Sequence, residues 1–229
     1  MIPEQQALAA FKSRNESFQD CVVYHLSTRG LFAELSDLAR AVVYATANNL
    51  QLLIDSSRFT YRIEQGWSDW FEPFCRDVAE VDSERIKERF EFHPQSPDRM
   101  AVRRLQVFHT GELWLGETHF TQFSEMLDFS LKMIFRPNAV VRDQLALAVA
   151  SLSLPATYYA IHIRRGDKIG DEDLYYPAEL YLQGLPELED GDTIFVMSDE
   201  YSSIAEVERD LARRGVKCRV LSLAAEEDK

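Results

Sequence analysis

The sequence predicts an α/β chain built on parallel sheets and divided into two parts. A strand–turn–helix–strand pattern runs from Cys21 to Asp55. A strand–helix–strand–helix–strand pattern runs from Tyr158 to Leu221, and Leu154-Pro155 falls between the two. Neighbouring parallel strands need a crossover connection, usually a helix, so patterns of this kind build parallel sheets. The expected domains are therefore residues 1–154 and 155–229.

In the first part, the apolar run from Cys21 to Leu26 reads as a buried strand, followed by the turn Ser27-Thr28-Arg29-Gly30. Leu31, Leu35, Leu38, Ala39, Val42 and Val43 then recur at helical spacing, and Asn48-Asn49 ends that helix. Leu50 to Asp55 is a second buried strand. The aromatic stretch Trp67 to Phe74 is expected to be a short helix capped by Ser68. Asp82 to Phe90 is expected to be an exposed helix, His93 to Arg99 a loop with two prolines, and Val102 to Phe108 a strand. Thr121 to Phe135 is an amphipathic helix, interrupted by Pro137-Asn138, and Ala139 to Ala150 is another.

The second part opens with a strand from Tyr158 to Ile163 and the polar turn Arg164-Arg165-Gly166-Asp167-Lys168. Pro177 starts a helix to Leu188, as proline commonly does, and Thr193 to Met197 is a strand. Ser198-Asp199 can cap a helix from Tyr201 to Arg214, which Gly215 terminates, and Val216 to Leu221 is a third strand. The β-α-β-α-β order is half of a Rossmann-like sheet.

Composition narrows the function. Of the 229 residues 46% are hydrophobic and 28% charged, an ordinary globular balance. The net charge of −13 repels phosphate backbones and argues against nucleic acid as a partner. No apolar run reaches the roughly 18 residues of a membrane span. The opening Met-Ile-Pro-Glu-Gln-Gln does not resemble a signal peptide, so a cytoplasmic location is expected. Cys21, Cys75 and Cys218 are scattered and suit free thiols in a reducing compartment. His25, His93, His109, His119 and His162 are scattered too, so no metal site is expected.

Against that acidic background, Ile161-His162-Ile163-Arg164-Arg165-Gly166-Asp167-Lys168 stands out. Ligands of open α/β sheets bind beyond the carboxyl ends of the strands, where this segment delivers two guanidiniums and an ammonium. Arginine forks suit phosphate oxygens and lysine adds a point charge. The segment reads either as a phosphate or diphosphate site, or as a surface turn whose cations pair with Asp167, Asp171, Glu172 and Asp173. Asp199 ends the next strand at the same sheet edge. It could accept hydrogen bonds from a ribose or a base, or cap the following helix.

His-x-Arg-Arg-x-Asp-Lys after a strand is followed by Ser198-Asp199-Glu200. It is preceded by Gly30-Leu31-Phe32-Ala33-Glu34-Leu35, Leu52-Leu53-Ile54-Asp55 and the block from Gly66 to Pro73. This ordered set, from about Val22 to about Ser222, resembles the α-1,6-fucosyltransferase family of core-fucosylating and nodulation-factor enzymes. The resemblance implies a GT-B-like arrangement of two Rossmann-like domains, with residues 1–154 on the acceptor side and 155–229 as the first half of the donor domain. It implies GDP-fucose as donor, a glycan hydroxyl as acceptor, inversion at the anomeric carbon, and neither cofactor nor metal. By this resemblance Arg164 holds the β-phosphate, Arg165 shapes the loop beside the nucleotide, and His162 and Asp199 approach the nucleotide. Lys168 sits near the acceptor hydroxyl, Glu172 is the general base, and Gly30 belongs to a cleft loop.

Two departures accompany the likeness. Phe32 stands where the family carries a second glycine, and a later Ser/Thr-rich family motif has no counterpart before Lys229. The second domain is therefore expected to be incomplete, and a homo-oligomer or a partner chain is expected to complete it. The alternative to an active transferase is a non-catalytic or truncated relative serving as a binding module.

Overall fold

The structure, a computed structural model, describes residues 4–28, 30–78, 83–91, 113–115, 118–165 and 175–224. The expectations for 93–99 and 102–108 lie outside the described residues. The chain divides into two compact units, Met1–Arg142 and Asp143–Lys229.

Unit 1 contains helix α1 (Glu4–Ser17), strand β1 (Cys21–His25), α2 (Leu31–Ala47), β2 (Gln51–Asp55), β3 (Arg76–Asp77) and β4 (Ile86–Glu91). The antiparallel pair β5 (Leu113–Leu115) and β6 (Thr118–Phe120) follows, then α3 (Phe123–Ile134). Helix α4 (Ala139–Leu152) begins in this unit and ends in the next. The main sheet is parallel throughout, in the order β3-β2-β1-β4. A parallel strand is buried on both faces, which is why Cys21–Tyr24 and Leu52–Ile54 read as unbroken apolar runs. Val22, Tyr24, Leu52 and Ile54 join the side chains of α2 and α3 in the main core. Cys21, Val23 and Leu53 form a smaller cluster with Val78 and Ile86.

The structure differs from the sequence expectation in several elements here. The helix expected over Trp67–Phe74 is reduced to a 3-10 turn, Gly66–Asp69, whose N-cap is Gln65 and not Ser68. The short strands β3, β5 and β6 were not expected. The residues of the expected helix over Asp82–Phe90 instead form a short 3-10 turn (Ser83–Arg85) and β4, which pairs in parallel with β1. Charged residues are what an edge strand carries, and pairing along a neighbour overrides a weak helical pattern. Arg85 fastens the start of β4. It donates to the carbonyls of Gln19 (2.8 Å) and Phe18 (3.0 Å) and to the Gln51 side chain (2.9 Å). A further difference is α1, which the sequence did not announce. Among the described residues β3 pairs only with Leu53 and Ile54, and the buried amide of Asn15 on α1 takes both main-chain groups of Leu52 (2.7 and 3.0 Å). Buried main-chain groups need partners, and Asn15 supplies them where the neighbouring strand is short.

Unit 2 contains β7 (Tyr159–Ile163), α5 (Ala178–Gln183), β8 (Thr193–Ser198), α6 (Ser202–Arg214) and β9 (Arg219–Leu221). Its sheet is parallel in the order β7-β8-β9. Ile161, Ile163, Ile194 and Val196 pack against Leu182 of α5 and Ile204, Val207 and Leu211 of α6. Gly215, at φ +73°, closes α6 in the left-handed conformation that favours glycine. Asp199 does not cap α6: the N-cap is Tyr201, with no side-chain cap bond, and the Asp199 carboxylate turns to the β7 loop instead.

That loop is anchored by a buried arginine. Arg165 has a side chain only 3% exposed, and its fork meets Glu206 of α6 through two bonds, of 3.0 and 2.7 Å. It also donates to the Tyr176 carbonyl (3.3 Å) and lies over the Tyr175 ring, 4.4 Å from its centre. The hydrogen bonds from Arg165, with a further one from the Tyr175 hydroxyl, hold the Glu206 carboxyl down at about 2. A carboxyl depressed from 4.5 in this way contributes stability above the unfolded value, lost as pH falls towards 2. Such a shift corresponds to about 3 kcal/mol. Glu206→Ala is therefore expected to lower stability by about 3 kcal/mol at pH 7. In urea titrations the gap to the parent should close between about pH 5 and pH 2; a gap independent of pH would contradict the role given to this pair.

Candidate functional site

Parallel strands bring their carboxyl ends to one edge, and in unit 2 that edge carries Arg164 and Arg165 after β7 and Asp199 after β8. The register that pairs Ile163 with Ser198 places the two exits side by side. One carboxylate then organises both arginines. Asp199 accepts the main-chain N–H of Arg165 at 2.8 Å and forms an ion pair with the Arg164 guanidinium. The Arg164 side chain is 42% exposed, whereas that of Arg165 is nearly sealed from water.

The two arginines thus have different chemistry available to them. Arg165 spends its fork on Glu206, and its Nε has no partner among the described residues. Moving this guanidinium to a ligand would break the two bonds that hold a buried charge and leave Glu206 without its counter-charge, a costly exchange. Arg164 is held at the solvent edge by a partly exposed carboxylate. An incoming anion can share or replace that partner at small cost, because exposed ion pairs contribute little. Asp199, fixed by the Arg165 amide, presents a hydrogen-bond acceptor beside it.

His162 is exposed on β7, opposite Met197 of β8, on the sheet face away from Ile161 and Ile163. Lys168 and Glu172 lie outside the described residues. Gly30 lies in unit 1, at the N-cap of α2 beyond the end of β1, and its φ of −61° is one that any residue adopts. A side chain added there would meet no atom within 4 Å, so neither backbone nor space demands glycine at this position. The turn before it is set by Glu34. This buried carboxylate accepts the Ser27 main-chain N–H (3.3 Å), the Ser27 hydroxyl and the Tyr24 hydroxyl (3.3 Å). Phe32 points outward, 76% exposed, with its ring 6.2 Å from that of Phe135.

Sequence reasoning missed Glu206, Tyr175 and Tyr176, which hold Arg165 in place. The one signal was an acidic residue beside the buried stripe Ile204, Val207 and Leu211 of α6. Among the described residues, no three His, Cys, Asp or Glu side chains are grouped so as to hold a metal ion. Among those residues, too, no helix is long and apolar enough to cross a membrane.

No protein family and no curated protein matches the sequence. Among solved structures, the chain is similar to a mutant of Arabidopsis thaliana FUT1 in complex with GDP, with 11% identity and a TM-score of 0.50. That likeness covers 97% of this chain and 63% of the other. The chain is also similar to NodZ alpha-1,6-fucosyltransferase soaked with GDP-fucose, with 16% identity, a TM-score of 0.48, and coverage of 91% and 79%. The chain therefore spans less than two thirds of the FUT1 chain, and what it shares with that fucosyltransferase is the fold: mixed α/β with parallel sheets.

Proposed function

We propose that this chain is a glycosyltransferase of the fucosyltransferase kind, with a GT-B-like fold, and that the β7–β8 edge of unit 2 receives the diphosphate of GDP-fucose. The observation that carries the reading is the division of labour between Arg164 and Arg165: one guanidinium is locked in place, and its neighbour stands at the sheet edge beside an ordered carboxylate. A likeness of fold to a GDP-bound fucosyltransferase supports the choice of ligand.

In this reading Arg164 binds the β-phosphate, and Asp199 and His162 turn to the nucleoside. The acceptor hydroxyl attacks the anomeric carbon from the face opposite the diphosphate. The new C–O bond forms as the bond to the phosphate oxygen breaks, and GDP leaves with the electron pair. Glu172 takes the hydroxyl proton, a task suited to a carboxylate. Charge builds on the departing diphosphate, and Arg164 and Lys168 meet it without a metal.

Calorimetric titration with GDP tests the binding half. Arg164→Ala is expected to weaken GDP about 10–100-fold, the loss of a charge-assisted bond. Arg164→Lys should recover little, because the fork is gone. Equal affinity in parent and Arg164→Ala would refute the assignment. Transfer from GDP-fucose to a glycan tests the chemistry. Glu172→Gln should lower turnover by about 10²–10⁴ with GDP affinity unchanged, and EDTA should have no effect. A chain that binds GDP yet transfers nothing would be a binding module instead.

A further inference from the structure

The parallel sheet of unit 2 is covered, among the described residues, on one face only. Ile161, Ile163, Ile194 and Val196 pack under α5 and α6. The alternate residues, Ala160 and His162 of β7, Phe195 and Met197 of β8 and Leu221 of β9, lie on the other face, as the register requires. There the Tyr158 ring meets that of Phe195 edge-on (6.5 Å between centres), Ala160 and His162 are exposed, and Met197 is 43% exposed. Parallel sheets are covered on both faces almost without exception, so this apolar face lacks a layer.

The same unit carries a helix without a sheet. From Gln144 to Leu152, α4 has no charged residue, and Leu145, Leu147 (73%) and Val149 are exposed. A helix apolar on all sides belongs in a core. It is not free to fold onto its own sheet, because Arg219 at the start of β9 ties its end, donating to the carbonyls of Leu152 (3.3 Å) and Ser153 (3.4 Å). Each surface is what the other lacks: a sheet face without a helix and a helix without a sheet. Charge points to the same partner. Copies of a chain with net charge −13 repel one another except across surfaces that carry little charge, and these are two such surfaces. One helical segment about 14 Å long covers too little surface for a stable dimer; two, exchanged about a twofold axis, reach roughly the 1,000 Å² that a specific interface needs.

We infer that the partner of this face is a second copy of the chain, in a twofold dimer where α4 of each copy lies on the bare sheet face of the other. The inference does not rest on the transferase reading. Sedimentation equilibrium of the full chain at micromolar concentrations, without nucleotide, reads the association, and a dimer is expected. Leu147→Glu on the helix and Met197→Lys on the sheet face, both at exposed positions, should each raise the dimer Kd tenfold or more with the circular dichroism spectrum unchanged. Ala160→Lys repeats the test on the sheet face if Met197→Lys alters the spectrum. An equimolar mixture of the helix and sheet variants should associate more tightly than either alone. One of its two contacts is intact, and the other brings the introduced carboxylate to the introduced ammonium. A monomeric parent overturns the inference. So does a dimer that the sheet variants leave unchanged, which would set helix against helix, or a mixture that associates no better than its components.

Discussion

The ion pair between Arg165 and Glu206 is the interaction on which the unit 2 site depends. Buried charges are tolerated only when paired and hydrogen-bonded, and here the two form a fork-to-fork contact. Its consequence is positional. With Arg165 committed inward, Asp199 reaches the Arg165 amide and the Arg164 guanidinium together. The accessible cation at the sheet edge is therefore a by-product of the buried one. A sequence of two adjacent arginines hides this asymmetry; the α6 glutamate creates it.

Unit 1 works by a related device with the charge reversed. Carboxylates are turned onto main-chain N–H groups to shape two loops beyond the strand ends. Glu34 gathers the turn after β1, and Asp69 gathers the loop after β2. Each satisfies donors that would otherwise be left unmatched in a tight bend. The same segment fastens the start of α4. Asn138 donates to the Ser68 (3.0 Å) and Asp69 (3.1 Å) carbonyls, and Glu72 pairs with Arg136 (3.1 Å) and Arg142 (2.6 Å).

The α/β class was legible because buried parallel strands announce themselves. Cys21–Leu26, Leu50–Asp55, Tyr158–Ile163 and Thr193–Met197 are apolar runs between turn residues, and each matches an observed strand to within one residue at either end. The amphipathic α6 was equally plain, down to its terminating glycine. α1 was not, because Leu8, Phe11 and Asn15 are its buried contributions among described side chains, too few to make a stripe. β4 was misread because its charges suit an exposed helix as well as an edge strand, and only its partner decides. At the site, the rule about strand ends was enough to bring Arg164, Arg165 and Asp199 to one edge. What each arginine does there turns on Glu206, some forty residues away in sequence, and no local pattern encodes that contact.

The central claim is that Arg164 is the ligand-facing cation and Arg165 its fixed support. A crystal structure of the chain with GDP bound tests this most directly. The account predicts diphosphate oxygens within hydrogen-bonding distance of the Arg164 guanidinium, with Arg165 still forked onto Glu206. GDP bound away from Arg164, or Arg165 released from Glu206 to meet the phosphate, would contradict it.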